Sequence, residues 1–127
     1  MCAAESTFAL YEHRAGTTTV IRLCGEIDIH AALVLGPRAE QLTGELPDVL
    51  VDLSAVTFLD VGGLRLLARM RDRAQDRGLE LRFVRGTAQV MRVFRMTRQD
   101  SSYTFVDRLP PGQGEDEDRP PGLVTVP

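Results

Sequence analysis

Two aspartates, Asp28 and Asp60, and a glycine pair, Gly62 and Gly63, are the residues of this chain whose types and spacing could do chemistry. Each aspartate stands just ahead of a helix-forming stretch, where its carboxylate can accept a backbone N–H as an N-cap. Two neighbouring carboxylates could instead serve acid–base catalysis or hold a hard cation. No histidine or third carboxylate stands at matching spacing. His30 reads as a surface or capping side chain, and His13 falls in a hairpin. No catalytic residue, cofactor or metal site is therefore expected. Gly62 and Gly63 leave a helix mouth without side chains, and its free N–H groups suit an anion or a partner's backbone. A tight turn would explain them too. A small phosphate-ligand-binding domain is the distant reading, weakened because the chain has no lysine for a phosphate loop and no nucleophile–base pair.

These residues need elements to hold them, and the hydrophobic pattern supplies those. Val49, Leu50, Val51 and Leu53 form the short apolar run of a strand covered on both faces. Phe58 and Leu59 are expected to re-enter the core, and Asp60 then caps a helix running to about residue 77, stopped at Gly78. Its apolar stripe is Leu64, Leu67, Ala68 and Ala74, with Arg65, Arg69, Asp72, Arg73 and Asp76 outside it. Upstream, residues 7–11 and 17–24 read as a hairpin turning at Ala15-Gly16. Asp28 caps a helix over about 30–44 that Gly44 ends. Pro37 is expected to delay its regular part until near Gly36. Downstream come a strand over 79–84, a short helix opened by Gly86-Thr87 with Val90, Val93 and Phe94 inward, and an edge strand over 103–106. The order implies an α/β fold: one domain, a mixed but mostly parallel sheet of about five strands packed with helices. In such sheets sites collect beyond the carboxyl ends of strands, where Asp28 and Asp60 both fall.

Asp52-Leu53-Ser54, Val56-Thr57-Phe58-Leu59-Asp60 and Gly63-Leu64 together resemble the signature of the STAS domain, the fold of bacterial anti-sigma factor antagonists. Leu23-Cys24-Gly25-Glu26-Ile27-Asp28 resembles the family's second segment, and the likeness spans residues 7 to 106. The resemblance implies a protein that binds an anti-sigma factor of the ATP-binding kinase type and frees a sigma factor. It puts the contact at Asp28, Asp60, Val61, Gly62, Gly63 and Leu64. Phosphorylatable members carry serine or threonine where this chain has Val61, and Gly62 replaces the next small hydroxyl residue. No phosphorylation is expected at this position, and Ser54 and Thr57 read as structural. The alternative within the fold is a non-phosphorylated scaffold subunit of a transport ATPase or signalling complex.

Composition narrows the classes further. The 127 residues carry a net charge of −3 and 43% hydrophobic residues, which suits one globular domain and argues against a nucleic-acid binder. No apolar run reaches membrane-spanning length, and no secretory signal is evident, so a cytoplasmic protein is expected. Cys2 and Cys24 form no metal pattern, and Cys24 reads as a free core thiol. All 15 basic residues are arginines. Residues 1–6 read as a flexible lead-in, 7–106 as the domain, and 107–127 as a disordered Pro/Gly/acidic tail docked at most through Leu123 and Val124. A homodimer stays open, through an edge strand or an apolar patch.

Overall fold

The computed structural model describes residues 7–109 and the backbone of residues 124–125. The lead-in and the acidic run at 115–118 lie outside the described residues. Strands β1 (Phe8–Ala15) and β2 (Thr18–Ile27) form the expected hairpin, with Gly16 at φ 67° in its turn. Then follow α1 (Ile29–Glu45), β3 (Val49–Leu59), α2 (Val61–Asp76), β4 (Arg82–Val84), α3 (Ala88–Met96), β5 (Thr104–Val106) and β6 (Val124–Thr125). The sheet order is β5-β4-β3-β2-β1-β6. β2 through β5 run parallel, and β1 is antiparallel to both its neighbours. The mixed, mostly parallel sheet is thus the expected one, with β6 as a two-residue addition within the stretch read as tail.

The helices share one face of the sheet. Ile21, Leu23, Val51, Leu53 and Phe83 from the strands pack there against Leu35, Leu66, Leu67, Met70 and Phe94, all of them buried. Burying each such side chain stabilises the fold by about 1.5–3 kcal/mol before the cost of ordering it. The opposite face carries a smaller cluster of Ala15, Val20, Leu50 and Val84, against which Leu109 packs. His13 is buried on β1, and neither ring nitrogen finds a hydrogen-bond partner among the described residues. Asp52 is also buried: Arg22 Nε lies 3.0 Å from its Oδ2, and the Ser54 amide donates to its Oδ1 at 2.9 Å. The tight turn expected after Leu53 is not there: Ser54 lies within β3, beside a register shift against β2, and its amide serves a buried carboxylate.

Three local expectations are corrected. α1 is regular from Ile29, with Pro37 inside it. Proline removes the bond to Leu33, but Leu33 and Pro37 both lie on the exposed face, where water can take the orphaned carbonyl. Gly44 does not end α1 either, since Leu46 is the C-cap and its amide donates to the Leu42 carbonyl. Cys24 is buried, as expected of a core residue, but disulfide-bonded rather than free.

At the far edge, Tyr103 stacks edge-on against Phe83 and Phe94, with ring centroids 5.2 and 5.0 Å apart. Burial raises the Tyr103 phenol above its ordinary 10.0; the Arg71 guanidinium, 4.7 Å over its ring, opposes the rise and Asp72 adds to it. A folded-state pKa above the unfolded one means stability that is complete below about pH 10 and lost as pH climbs past it. Urea unfolding at rising pH should show that decline, and Tyr103→Phe should flatten it.

The ion pairs differ in depth, and this is testable by the same method. Arg22→Ala strands the buried Asp52 carboxylate and should cost about 3 kcal/mol. Arg69→Ala removes a 2.9 Å pair with Glu40 on the exposed seam between α1 and α2. It should cost under about 1 kcal/mol.

Candidate functional site

β2 and β3 end together, with Ile27 paired to Leu59, so Asp28 and Asp60 follow at the same level of adjacent parallel strands. Both then do the same work. The Asp28 carboxylate accepts from the Ala31 amide at 2.9 Å, and the Asp60 carboxylate accepts from the Gly63 amide at 2.9 Å. Their backbones match too, at φ −106°, ψ −169° and φ −118°, ψ −171°. The end of the sheet therefore carries two side-by-side capped helix starts, each with its carboxylate at the positive end of a helix dipole. Each cap contributes about 1 kcal/mol. With one oxygen of each committed to a cap, the pair is built for structure. Among the described residues no cluster of three His, Cys, Asp or Glu side chains could hold a metal ion.

The two glycines are explained from within the chain. A Cβ on Gly63 would lie 2.0 Å from the Ile27 carbonyl oxygen, and one on Gly62 would lie 2.6 Å from the Ile29 Cα. The close neighbour of the second helix mouth is the first helix start, which replaces the external anion offered above as one reason for the pair. Gly25 of the upstream motif has a like origin. It holds φ 86°, a Cβ there would lie 2.2 Å from the Thr7 carbonyl oxygen, and that oxygen accepts from the Glu26 amide at 2.8 Å. Both motif segments are thus places where backbone meets backbone.

The six residues expected to contact a partner separate by exposure. Val61 is 56% exposed, so it does not pack beneath a loop. Asp28, Asp60 and Gly62 are half-buried. Gly63 and Leu64 are buried, and their part is to seat the helix from behind. Sequence reasoning missed Ile29 (58% exposed) and Leu33 (71% exposed). Ile29 follows its cap as Val61 follows Asp60, and Leu33 lies one turn further along the same face of α1. The repeated Asp-β-branched pair, Asp28-Ile29 and Asp60-Val61, was the available signal. Phe58 was expected in the core and is 47% exposed. Leu59, its neighbour, faces the helices, and strand alternation turns Phe58 the other way. The result is an apolar ridge, Leu33–Ile29–Val61, crossing the junction of the two helix starts.

Glycine substitutions separate close approach from mere flexibility. Gly63→Ala drives a methyl into a backbone carbonyl and should cost at least about 3 kcal/mol in urea unfolding. Gly36 lies between the same two helices, where the nearest atoms to an added Cβ stand 3.7 Å away. Gly36→Ala should be neutral or stabilise by up to about 1 kcal/mol.

Comparison with known proteins meets this geometry. A family model described as "Mlab, STAS domain" matches residues 11–107. No curated protein matches the sequence. Among solved structures, an anti-sigma factor antagonist from Mycobacterium paratuberculosis superposes with a TM-score of 0.70 at 23% identity, over 85% of this chain and 92% of that one. The antagonist SpoIIAA in its unphosphorylated form gives a TM-score of 0.62 at 18% identity, over 87% and 96% of the two chains. Phosphorylated SpoIIAA, a Bacillus cell fate determinant, gives 0.60 at 17% identity, over 87% and 99%. At such identities the likeness is one of fold. No helix among the described residues is long and apolar enough to cross a membrane.

Proposed function

The chain belongs to the STAS domain family, and from that premise we propose that it is an anti-sigma factor antagonist: it binds an anti-sigma factor of the ATP-binding kinase type and so frees a sigma factor for transcription. The observation that carries this reading is the end of the sheet, where two capped helix starts abut and present Val61 and Ile29 outward. Such a surface offers a rigid apolar ridge framed by carboxylates, which suits recognition by a protein. Asp28, Asp60, Val61 and Gly62 are the direct contact residues in this reading, with Gly63 and Leu64 supporting them. The similar folds of the mycobacterial antagonist and SpoIIAA support the same role.

Val61 decides how the contact is regulated. A phosphate at a helix start would bring about −1.5 to −2 charges into the partner interface. Valine has no oxygen to accept one, so the complex forms without that off-switch. The same side chain is what favours the second reading, a scaffold subunit of a transport ATPase or signalling complex, for which an unswitched contact is sufficient. A cytoplasmic location fits either reading.

Binding to kinase-type anti-sigma factors encoded in the same genome, measured with ATP and with ADP, tests the proposal. The natural protein should bind, and ATP should leave the complex intact with no phosphate on the chain by mass spectrometry. Val61→Asp leaves both caps in place and should weaken binding at least tenfold, about 1.4 kcal/mol, with an unchanged circular dichroism spectrum. Val61→Ser should make the complex ATP-sensitive. Absence of binding to every candidate, together with co-purification of an ATPase subunit, would replace the antagonist with the scaffold.

A further inference from the structure

Helix α2 has a buried stripe and, beside it, a flank that the fold covers only in part, since Leu64 is buried there while Val61 is exposed. Leu66, Leu67, Met70 and Ala74 face the sheet and α1. A second set, Val61, Leu64, Arg65 and Ala68, recurs at i, i+3, i+4 and i+7, so it lines one flank of the helix over two turns. That flank is one wall of a groove of about 170 Å³, whose other wall is Thr97 and Gln99, just beyond α3. Met96, 70% exposed, adjoins the second wall. The small Ala68 lets another helix approach closely, and the i, i+3, i+4, i+7 ridge is the shape that helix packing uses.

Arg65 is the one charged residue among those that line the groove. Arg65 lines it and Arg98 stands between its wall residues Thr97 and Gln99; neither makes an ion pair among the described residues. Six other arginines do. Arg98 is further marked by its backbone. α2 and α3 end in the same way, with the amide two residues past the cap reaching back to the last full turn: Leu79 to the Ala74 carbonyl at 3.0 Å, and Gln99 to the Phe94 carbonyl at 2.7 Å. The left-handed position in α2 is Gly78, at φ 73°, whereas in α3 it is Arg98, at φ 58°. Arginine there is strained where glycine would rest. A cation is kept beside the groove at a cost in stability.

We propose that the groove between α2 and the end of α3 docks an acidic amphipathic helix of the partner protein, with apolar side chains against Val61 and Ala68, over the buried Leu64, and carboxylates on Arg65 and Arg98. The proposal rests on the antagonist reading for the partner's identity, and on the charge and shape of the groove for the chemistry. Val61 belongs both to the ridge and to the groove, so one interface continues from the helix starts along α2. The chain's own acidic run is the poorer occupant, because Leu109 packs on the opposite face of the sheet and Val124–Thr125 pair with β1.

Backbone amide NMR of the intact protein tests the groove directly. The probe is an amidated, acetylated peptide of about 18 residues, long enough to be helical, with leucine at i, i+3, i+4 and i+7 and glutamate between. Its control has arginine in place of glutamate. Shifts should gather at Val61, Leu64–Ala68 and Thr97–Gln99 with the acidic peptide, disappear in Arg65→Glu, and be absent with the control. No shifts, equal shifts with both peptides, or shifts that grow with protein concentration without peptide would overturn the proposal, the last by assigning the groove to a second copy.

Arg98→Gly gives a reading that a structural role cannot: the melting temperature should rise while peptide affinity falls severalfold. The anti-sigma complex separates the two ideas. If the natural complex forms and Arg65→Glu with Arg98→Glu leaves its affinity unchanged, the groove proposal falls and the antagonist stands. If the acidic peptide binds and no anti-sigma factor does, the groove stands and the antagonist falls.

Discussion

The structure depends on one contact between backbones, made where β2 and β3 end. Ile27 and Leu59 are paired neighbours, so two helices must start within one strand spacing of each other, about 4.8 Å. Ordinary side chains cannot fit between them. The carbonyl of Ile27 and the Cα of Ile29 occupy the volume in which side chains on Gly63 and Gly62 would lie. The two aspartate caps solve the companion problem, since each helix start has amide donors that this crowded junction would otherwise leave short of partners. Close approach and capping are therefore one device. Glycine makes room, and aspartate satisfies what is exposed by making it.

A rigid junction of this kind produces function by what it pushes outward. The residue after each cap is in the first helical turn and has no interior to point into, so Ile29 and Val61 stand in solvent at more than half exposure. Their branched side chains have few rotamers to lose on binding, which lowers the entropic cost of a contact. The carboxylates beside them are held by their caps and cannot fold over the ridge. Recognition of the kind proposed needs no moving part.

Much of this was legible in the residues. The start of the central strand at Val49, the caps at Asp28 and Asp60, the stop at Gly78 and the hairpin turn at Gly16 all follow from local rules, because each depends on a few neighbours along the chain; the continuation of β3 to Leu59 does not. Pro37 misled for an instructive reason: the local rule counts the lost hydrogen bond, but the cost depends on whether the orphaned carbonyl faces water, and that is a tertiary fact. Phe58 misled in the same way. An aromatic residue at the end of a buried strand is usually core, yet its side of the sheet is set by alternation from Leu59 and by which face the helices cover.

The sequence by itself determined the order of elements, the mixed sheet and the family, since these are properties of residue identity and spacing. Only the tertiary structure decided what the glycines are for, which of the six site residues can be touched, and that Ile29 and Leu33 join Val61 in one ridge. It also turned four residues of α2 into the wall of a groove beside Arg98, which makes no ion pair among the described residues. The physical reason is the same in each case. Exposure and proximity across 30 or more residues of chain come from how helices and strands pack, and no window of local pattern contains the neighbour that does the excluding.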